Sequence, residues 1–223
     1  MKDPGDLQRD VMEEVEFEPA VDAAGIGVAV DDGVVTLAGH VPTYAARIYA
    51  ERAAKRVSGV RGVANELRVQ LWPGSERDDT GIAQAAVNAL EWSVSVPKDA
   101  VTVTVDKGWV TLEGKVPWKY QADAAFDVVS RLTGVRGVTS LVTLTGAVRP
   151  EAVEKRIHSA FQRWASLDAN RVHVETLGNR VILRGRVRSW KEREDAERAA
   201  WSVFGVTDVE NDLVIGLGEL ATV

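Results

Sequence analysis

Apolar residues recur at helical spacing near the start of the chain, at Leu7, Val11 and Val15. They recur again at Ile82, Ala86 and Leu90 and at Val153, Ile157 and Phe161. Residues four apart stack on one side of a helix, so each series predicts an amphipathic helix with one inward stripe. A short alternating stretch follows each helix: Ile26, Val28, Val30; Val101, Val103, Val105; Val172, Val174. That period of two predicts a strand with one covered face. A turn such as Asp31-Asp32-Gly33 then leads into a second alternating run, and the two strands are predicted to pair as a hairpin. In the second strand Val35, Leu37, Gly39 and Val41 share the core-facing side, as do Val110, Leu112, Gly114, Val116 and Val181, Leu183, Gly185, Val187. A second helix turns Ala50, Ala53, Ala54 and Val57 inward, matched by Ala125, Val128, Val129, Leu132 and by Ala196, Ala199, Ala200, Val203. Third strands are predicted from Val63 to Leu71, Val138 to Leu144 and Val209 to Leu217.

These elements repeat in register. GVVTLAGHV from Gly33 returns as GWVTLEGKV from Gly108, an offset of 75, and as NRVILRGRV from Asn179, a further 71. The same offsets relate GVRGV at Gly59 to GVRGV at Gly134 and GVTDV at Gly205. A fixed period over several independent stretches is the mark of a tandem repeat. The chain therefore reads as α+β: three tandem α-β-β-α-β modules over 1–72, 78–146 and 149–223, each a three-stranded mixed sheet with two helices on one face. The recurring glycines are read as structural. Gly33 and Gly108 belong to hairpin turns. Gly39, Gly114 and Gly185 mark close approach of a helix backbone or a bulge. Gly59, Gly134 and Gly205 mark a left-handed helix end. The connectors, Pro73 to Asp79 and Gly146 to Pro150, are short, which favours modules packed on one another.

Composition narrows the function classes. Hydrophobic residues make up 45% and charged residues 27%, the balance of a soluble globular chain. There is no cysteine, which excludes thiolate nucleophiles and Cys-ligated metal centres. No apolar run is long enough to span a bilayer, and the start of the chain is acidic where an export signal needs a basic segment and an apolar stretch, so a cytoplasmic location is expected. The net charge of −6 argues against nucleic acid as a partner. It is unevenly spread: residues 1–72 carry 8 basic against 12 acidic side chains, while residues 148–223 carry 12 of each.

The combined pattern of an amphipathic helix, an I-x-V-x-V strand, G-x-V-x-L-x-G-x-V, a helix and G-V-x-x-V-x-N-x-L resembles the BON domain, a family found in bacterial osmotic-stress and envelope proteins. The first copy carries it in Gly33 to Val41, Gly59-Val60 and Val63 to Leu67. The second copy matches well. The third has Asn179 for the first glycine and Thr207-Asp208 for Arg-Gly, but keeps Gly185, Gly205-Val206 and Asn211 to Leu213. The resemblance implies association with phospholipid surfaces or envelope components and induction under osmotic stress. A branch that joins BON to a LysM module implies potassium sensing.

No phosphate loop, nucleophile elbow or zinc-protease helix occurs in the chain, so it reads as non-enzymatic and without a cofactor. His40, His158 and His173 fall at different repeat positions and have no metal-like spacing. Glu154 and His158 are four apart on one helix and read as a solvated pair. Asp31-Asp32 reads as turn residues. The strand faces turned away from the helices are more informative. Val34 and Trp109 are apolar there and are expected to pack between the first two copies or against a second chain. Arg180, Arg184, Arg186 and Arg188 form a basic stripe, with Trp190-Lys191 beyond it and Trp118-Lys119 at the neighbouring position of the second copy. Two readings stay open for these residues: a surface for lipid phosphates or a protein partner, and salt-bridging to acidic faces of the first two copies. The chain is accordingly expected to bind an anionic phospholipid surface or a protein. The alternatives are a potassium or small-solute sensor with its ligand between modules and a self-associating structural module, hence a homo-oligomer.

Overall fold

The computed structural model of the chain describes residues 2–145, 150–163 and 171–216. The side chains of Glu154 and His158, the connector from Gly146 to Arg149, and the chain from Leu217 onward lie outside the described residues. Each module has the predicted element order. The first runs α1 (Pro4–Phe17), β1 (Ile26–Asp31), β2 (Val34–Val41), α2 (Tyr44–Arg56) and β3 (Gly62–Val69). The second runs α3 (Asp79–Trp92), β4 (Val101–Asp106), β5 (Trp109–Val116), α4 (Lys119–Ser130) and β6 (Gly137–Leu144). The third runs α5 (Pro150–Arg163), β7 (Val172–Leu177), β8 (Arg180–Val187), α6 (Trp190–Trp201) and β9 (Asp208–Ile215).

In every sheet the middle strand pairs antiparallel with its hairpin partner and parallel with the strand beyond the second helix, so the sheets are mixed. A parallel return needs a crossover connection, and the second helix supplies it. The predicted stripes form the interior: Leu7, Val11 and Val15 are buried with Val35, Leu37 and Val41, and alanines 50, 53 and 54 let α2 lie close to the sheet. Phe161 and Ile157 fill the corresponding place in the third module. Each module closes its own core. Among the described residues only Trp190 joins the first core from the third module, and Tyr44 joins the second core from the first. Burying one such aliphatic side chain is worth about 1.5–3 kcal/mol, so the eight or more in each core cluster help sustain a domain of this size.

Two glycine expectations change. A Cβ on Gly39, Gly114 or Gly185 would come within 2.0 Å of the carbonyl oxygen of Gly25, Ala100 or Arg171. The close neighbour is thus the residue just before the first hairpin strand, which in the first module ends a short 3-10 helix (Ala23–Gly25), and not either of the two long helices. Gly59, Gly134 and Gly205 do adopt positive φ, but in a turn after the helix has ended, where Val60 donates back to the Val57 carbonyl over 3.3 Å. The third strands begin one residue earlier than predicted and end by Val69 and Ile215.

The asparagine of the repeat is a strut between helix and strand. Asn65 donates to the Glu51 carboxylate at 3.0 Å, and Arg47 donates to the Asn65 carbonyl at 2.9 Å. The third module repeats this with Asn211, Glu197 and Arg193. In the second module all three positions change together, to Ser140, Phe126 and Ala122. Burial opposes ionisation of Glu51, but hydrogen bonds from Lys55 and Asn65 and the charges of Lys55 and Arg47 outweigh it and hold the carboxyl below its ordinary value. A carboxyl depressed in the folded state contributes stability that is present above its unfolded pKa and lost as pH falls through the folded one. Glu51→Gln is therefore expected to lower the melting midpoint at neutral pH by no more than about 3 °C, because the group is partly solvated. Melts taken at successively lower pH, through and below the ordinary carboxylate range, should show that difference shrink.

Candidate functional site: a cleft where the modules meet

The modules join through their second helices, always in the same sense. Tyr44, Lys119 and Trp190 share one repeat position at the start of these helices, and each leans on the later turns of the next module's second helix. Tyr44 meets Phe126 edge-on at 6.4 Å between ring centres. Lys119 lies 5.8 Å from the Trp201 ring, and its neighbour Trp118 packs on Phe204 at 5.0 Å. Trp190 closes the circle onto the first module, with Lys55 5.1 Å from its ring and Arg193 5.4 Å away on its own helix. Arg52 and Asp127 add a 3.9 Å ion pair between the first two modules. The result is a pseudo-threefold ring. The second helices border an open charged and aromatic pocket of about 1120 Å³, with Lys55, Trp118, Lys119 and Trp201 on its wall.

Where the third module returns to the first, the ends of β8 and β9 face the β1–β2 turn and leave a cleft of about 670 Å³. Pro4, Leu7, Val30, Val214 and Ile215 make its apolar part, and Lys2, Arg61, Arg186 and Arg188 bring four cations to it against one acidic side chain, Asp32. Lys2 pairs with Asp10, Arg61 with Asp32 at 3.5 Å, and Arg188 with Glu192 at 2.5 Å. Arg186 has no carboxylate partner among the described residues and is exposed. A wall that joins aliphatic carbon to an uncompensated guanidinium suits a ligand with an anionic head and an apolar body. The equivalent junction between the first two modules is smaller, about 400 Å³, and the connector residues Glu76 and Arg77 line it.

A family model for the BON domain matches residues 3–70, 78–146 and 149–216. The chain belongs to the BON domain family. A 21 kDa hemolysin of Actinobacillus pleuropneumoniae is 32% identical over 121 residues, which are 53% of this chain and 62% of that protein. Osmotically-inducible protein Y of Escherichia coli (strain K12) is 32% identical over 122 residues, 53% of this chain and 61% of that protein. The chain thus spans less than two thirds of the length of either relative. Among solved structures, CdsD, a structural protein of the type III secretion system of Chlamydia trachomatis, aligns with 96% of this chain and 94% of its own at a TM-score of 0.28 and 17% identity.

The third BON module places its basic stripe in a lattice of opposite charge. Arg180 pairs with Asp208 at 3.1 Å and Glu210 at 2.5 Å, and Arg184 pairs with Glu175 at 2.9 Å. The partners come from the flanking strands of the same sheet, not from the first two BON modules, and beneath them Ile182 is only 6% exposed. Cross-strand pairs of this kind neutralise the face. Of the stripe, Arg186 and Arg188 reach the cleft. Trp190 and Trp118 sit at module junctions rather than on an open surface, and Lys191 and Lys119 pair along their helices with Asp195 and Asp123.

Val34 and Trp109 do not join the first two modules. Trp109 lies across Gly137 of the adjacent strand, donates to the Thr139 hydroxyl at 2.8 Å, and remains 47% exposed. An indole laid over a strand glycine covers backbone that has no side chain of its own. Val34, 44% exposed, instead faces the third module beside Val214 and Trp190. His40 and His173 are exposed, and no group of metal-ligating side chains is present among the described residues. None of the helices among them is long and apolar enough to cross a membrane. Arg61 lies in the repeated GVRGV segment, with Arg136 at the same place in the second copy, so the repeat marked it as part of a structural turn and gave no sign that it faces a cleft.

Proposed function

We propose that this BON protein is a non-enzymatic binding protein whose ligand surface is the cleft between its first and third modules. Its ligand is an anionic phospholipid surface, whose phosphates meet Arg61, Arg186, Lys2 and Arg188 while glycerol and upper acyl carbons meet Val30, Val214 and Ile215. The observation that carries this reading is the single cavity wall in which those aliphatic side chains adjoin Arg186, a cation with no ion-pair partner among the described residues. The name of the relative Osmotically-inducible protein Y supports a role for this chain under osmotic stress.

Sedimentation with phosphatidylcholine vesicles containing phosphatidylglycerol tests it. Each basic residue near an anionic surface is worth about 1 kcal/mol, so reversing two of them with Arg61→Glu and Arg186→Glu is expected to weaken binding at least about a hundredfold. Arg180→Ala, which removes an already neutralised charge of the lattice, should bind like wild type. Equal sedimentation of all three proteins, or none by wild type, excludes the proposal.

A further inference from the structure

The first two modules differ at one backbone feature, the turn of the first hairpin. In the second module the Lys107–Gly108 turn points two successive N–H groups at the first residue of α3, and the Asp79 carboxylate accepts both, from Lys107 N and Gly108 N at 2.8 Å each. The same turn in the first module is Asp32–Gly33, with φ of 44° and 79° against 50° and 80° for Lys107 and Gly108. Its helix begins in the same way, on an aspartate cap, Asp3 in place of Asp78. The residue that takes the place of Asp79 is Pro4, which has no side-chain acceptor. Among the described residues no acceptor is hydrogen-bonded to Asp32 N or Gly33 N. The turn lines the cleft together with Lys2, Arg61 and Arg186.

We propose that the Asp32–Gly33 turn is a binding site for the oxyanion of a phosphate group, seated on the two backbone N–H groups as the Asp79 carboxylate is seated on the turn of the second module. Two adjacent N–H groups in left-handed conformation form a concave donor pair that favours an anion. Here the chain's own carboxylate occupies one such pair and leaves the other to a ligand. Arg61 extends from the strand start beside the turn, and Arg186 crosses from the third module, so the oxyanion bridges the two modules. The inference deepens the reading of the cleft given above and uses it only for the identity of the ligand. The donor pair itself rests on the comparison between modules.

Amide resonances of the full chain provide the test, with inorganic phosphate and a short-chain phosphatidylglycerol kept below its micelle concentration as probes, each at matched ionic strength. Phosphate is expected to shift the Asp32 and Gly33 resonances saturably and to leave Lys107 and Gly108, already bonded to Asp79, unmoved. Pro4→Asp should install the missing carboxylate, abolish the shift, and raise the melting midpoint by about 2–4 °C. Pro4→Ala should retain the shift. A shift with the lipid but not with phosphate assigns the oxyanion to a lipid headgroup and still supports the site. No shift with either probe overturns the proposal, as does a shift that survives Pro4→Asp. Loss of vesicle binding with the phosphate shift intact refutes the membrane reading while leaving the anion site standing.

Discussion

Gly114→Ala is expected to destabilise the middle module by about 4 kcal/mol, a large fraction of what a domain of this size possesses. Two costs coincide at that position. The residue sits at φ +154°, and an added Cβ would stand 2.0 Å from the Ala100 carbonyl oxygen and 3.0 Å from its carbon. Neither neighbour is a flexible side chain that can swing aside. Gly27→Ala is the control: it also lies in a strand, but its Cβ would meet nothing closer than 3.8 Å, so it should stay within about 1 kcal/mol of wild type. Chemical denaturation followed by the near-ultraviolet signal of Trp109 and Trp118 reads the difference. Equal midpoints for Gly114→Ala and wild type would contradict the packing described here.

Trp190→Ala is expected to open the ring. The side chain packs on the first module's core and lies between Lys55 and Arg193, so truncation removes buried apolar area and a cation–π contact that together are worth about 2–4 kcal/mol. Small-angle scattering should report an increased radius of gyration, and amides of α2 should exchange faster while those within the third module's sheet do not. Trp190→Phe is the informative companion. The indole N–H of Trp190 is enclosed without a hydrogen-bond partner, so phenylalanine keeps most of the contact and discards the unmatched donor, and the ring should stay closed. An unchanged radius for Trp190→Ala would show that the third module is held to the first by other contacts.

The element order, the parallel return of the third strand and the inward stripes were legible because each rests on local periodicity, and the threefold recurrence of that periodicity removes ambiguity. The junctions were not legible for the opposite reason. They use residues at which the copies differ: Tyr44, Lys119 and Trp190 share one repeat position and meet Phe126, Trp201 and Lys55. A reading that searches for what repeats discards them. The fate of the arginine stripe was within reach, since Asp208, Glu210 and Asp212 alternate along the third strand with the same spacing as Arg180, Ile182 and Arg184 along the second, and parallel pairing sets them side by side. The place of Trp109 follows from a pairing no local rule supplies, the strand glycine Gly137 directly across from it.

The direction of the module contacts has a consequence for how such an array can grow. Open stacks of repeats present one vacant end at each terminus, which is why they lengthen by duplication and need distinct terminal units. Here the third unit's leading tryptophan already occupies the receiving surface of the first, so insertion of a further copy has to displace Trp190 from Lys55 before it finds a neighbour. Heterologous contacts that close in this way fix the number of participants, as they do in cyclic oligomers. Three is the stoichiometry built into this chain, with covalent linkage doing what subunit association does elsewhere.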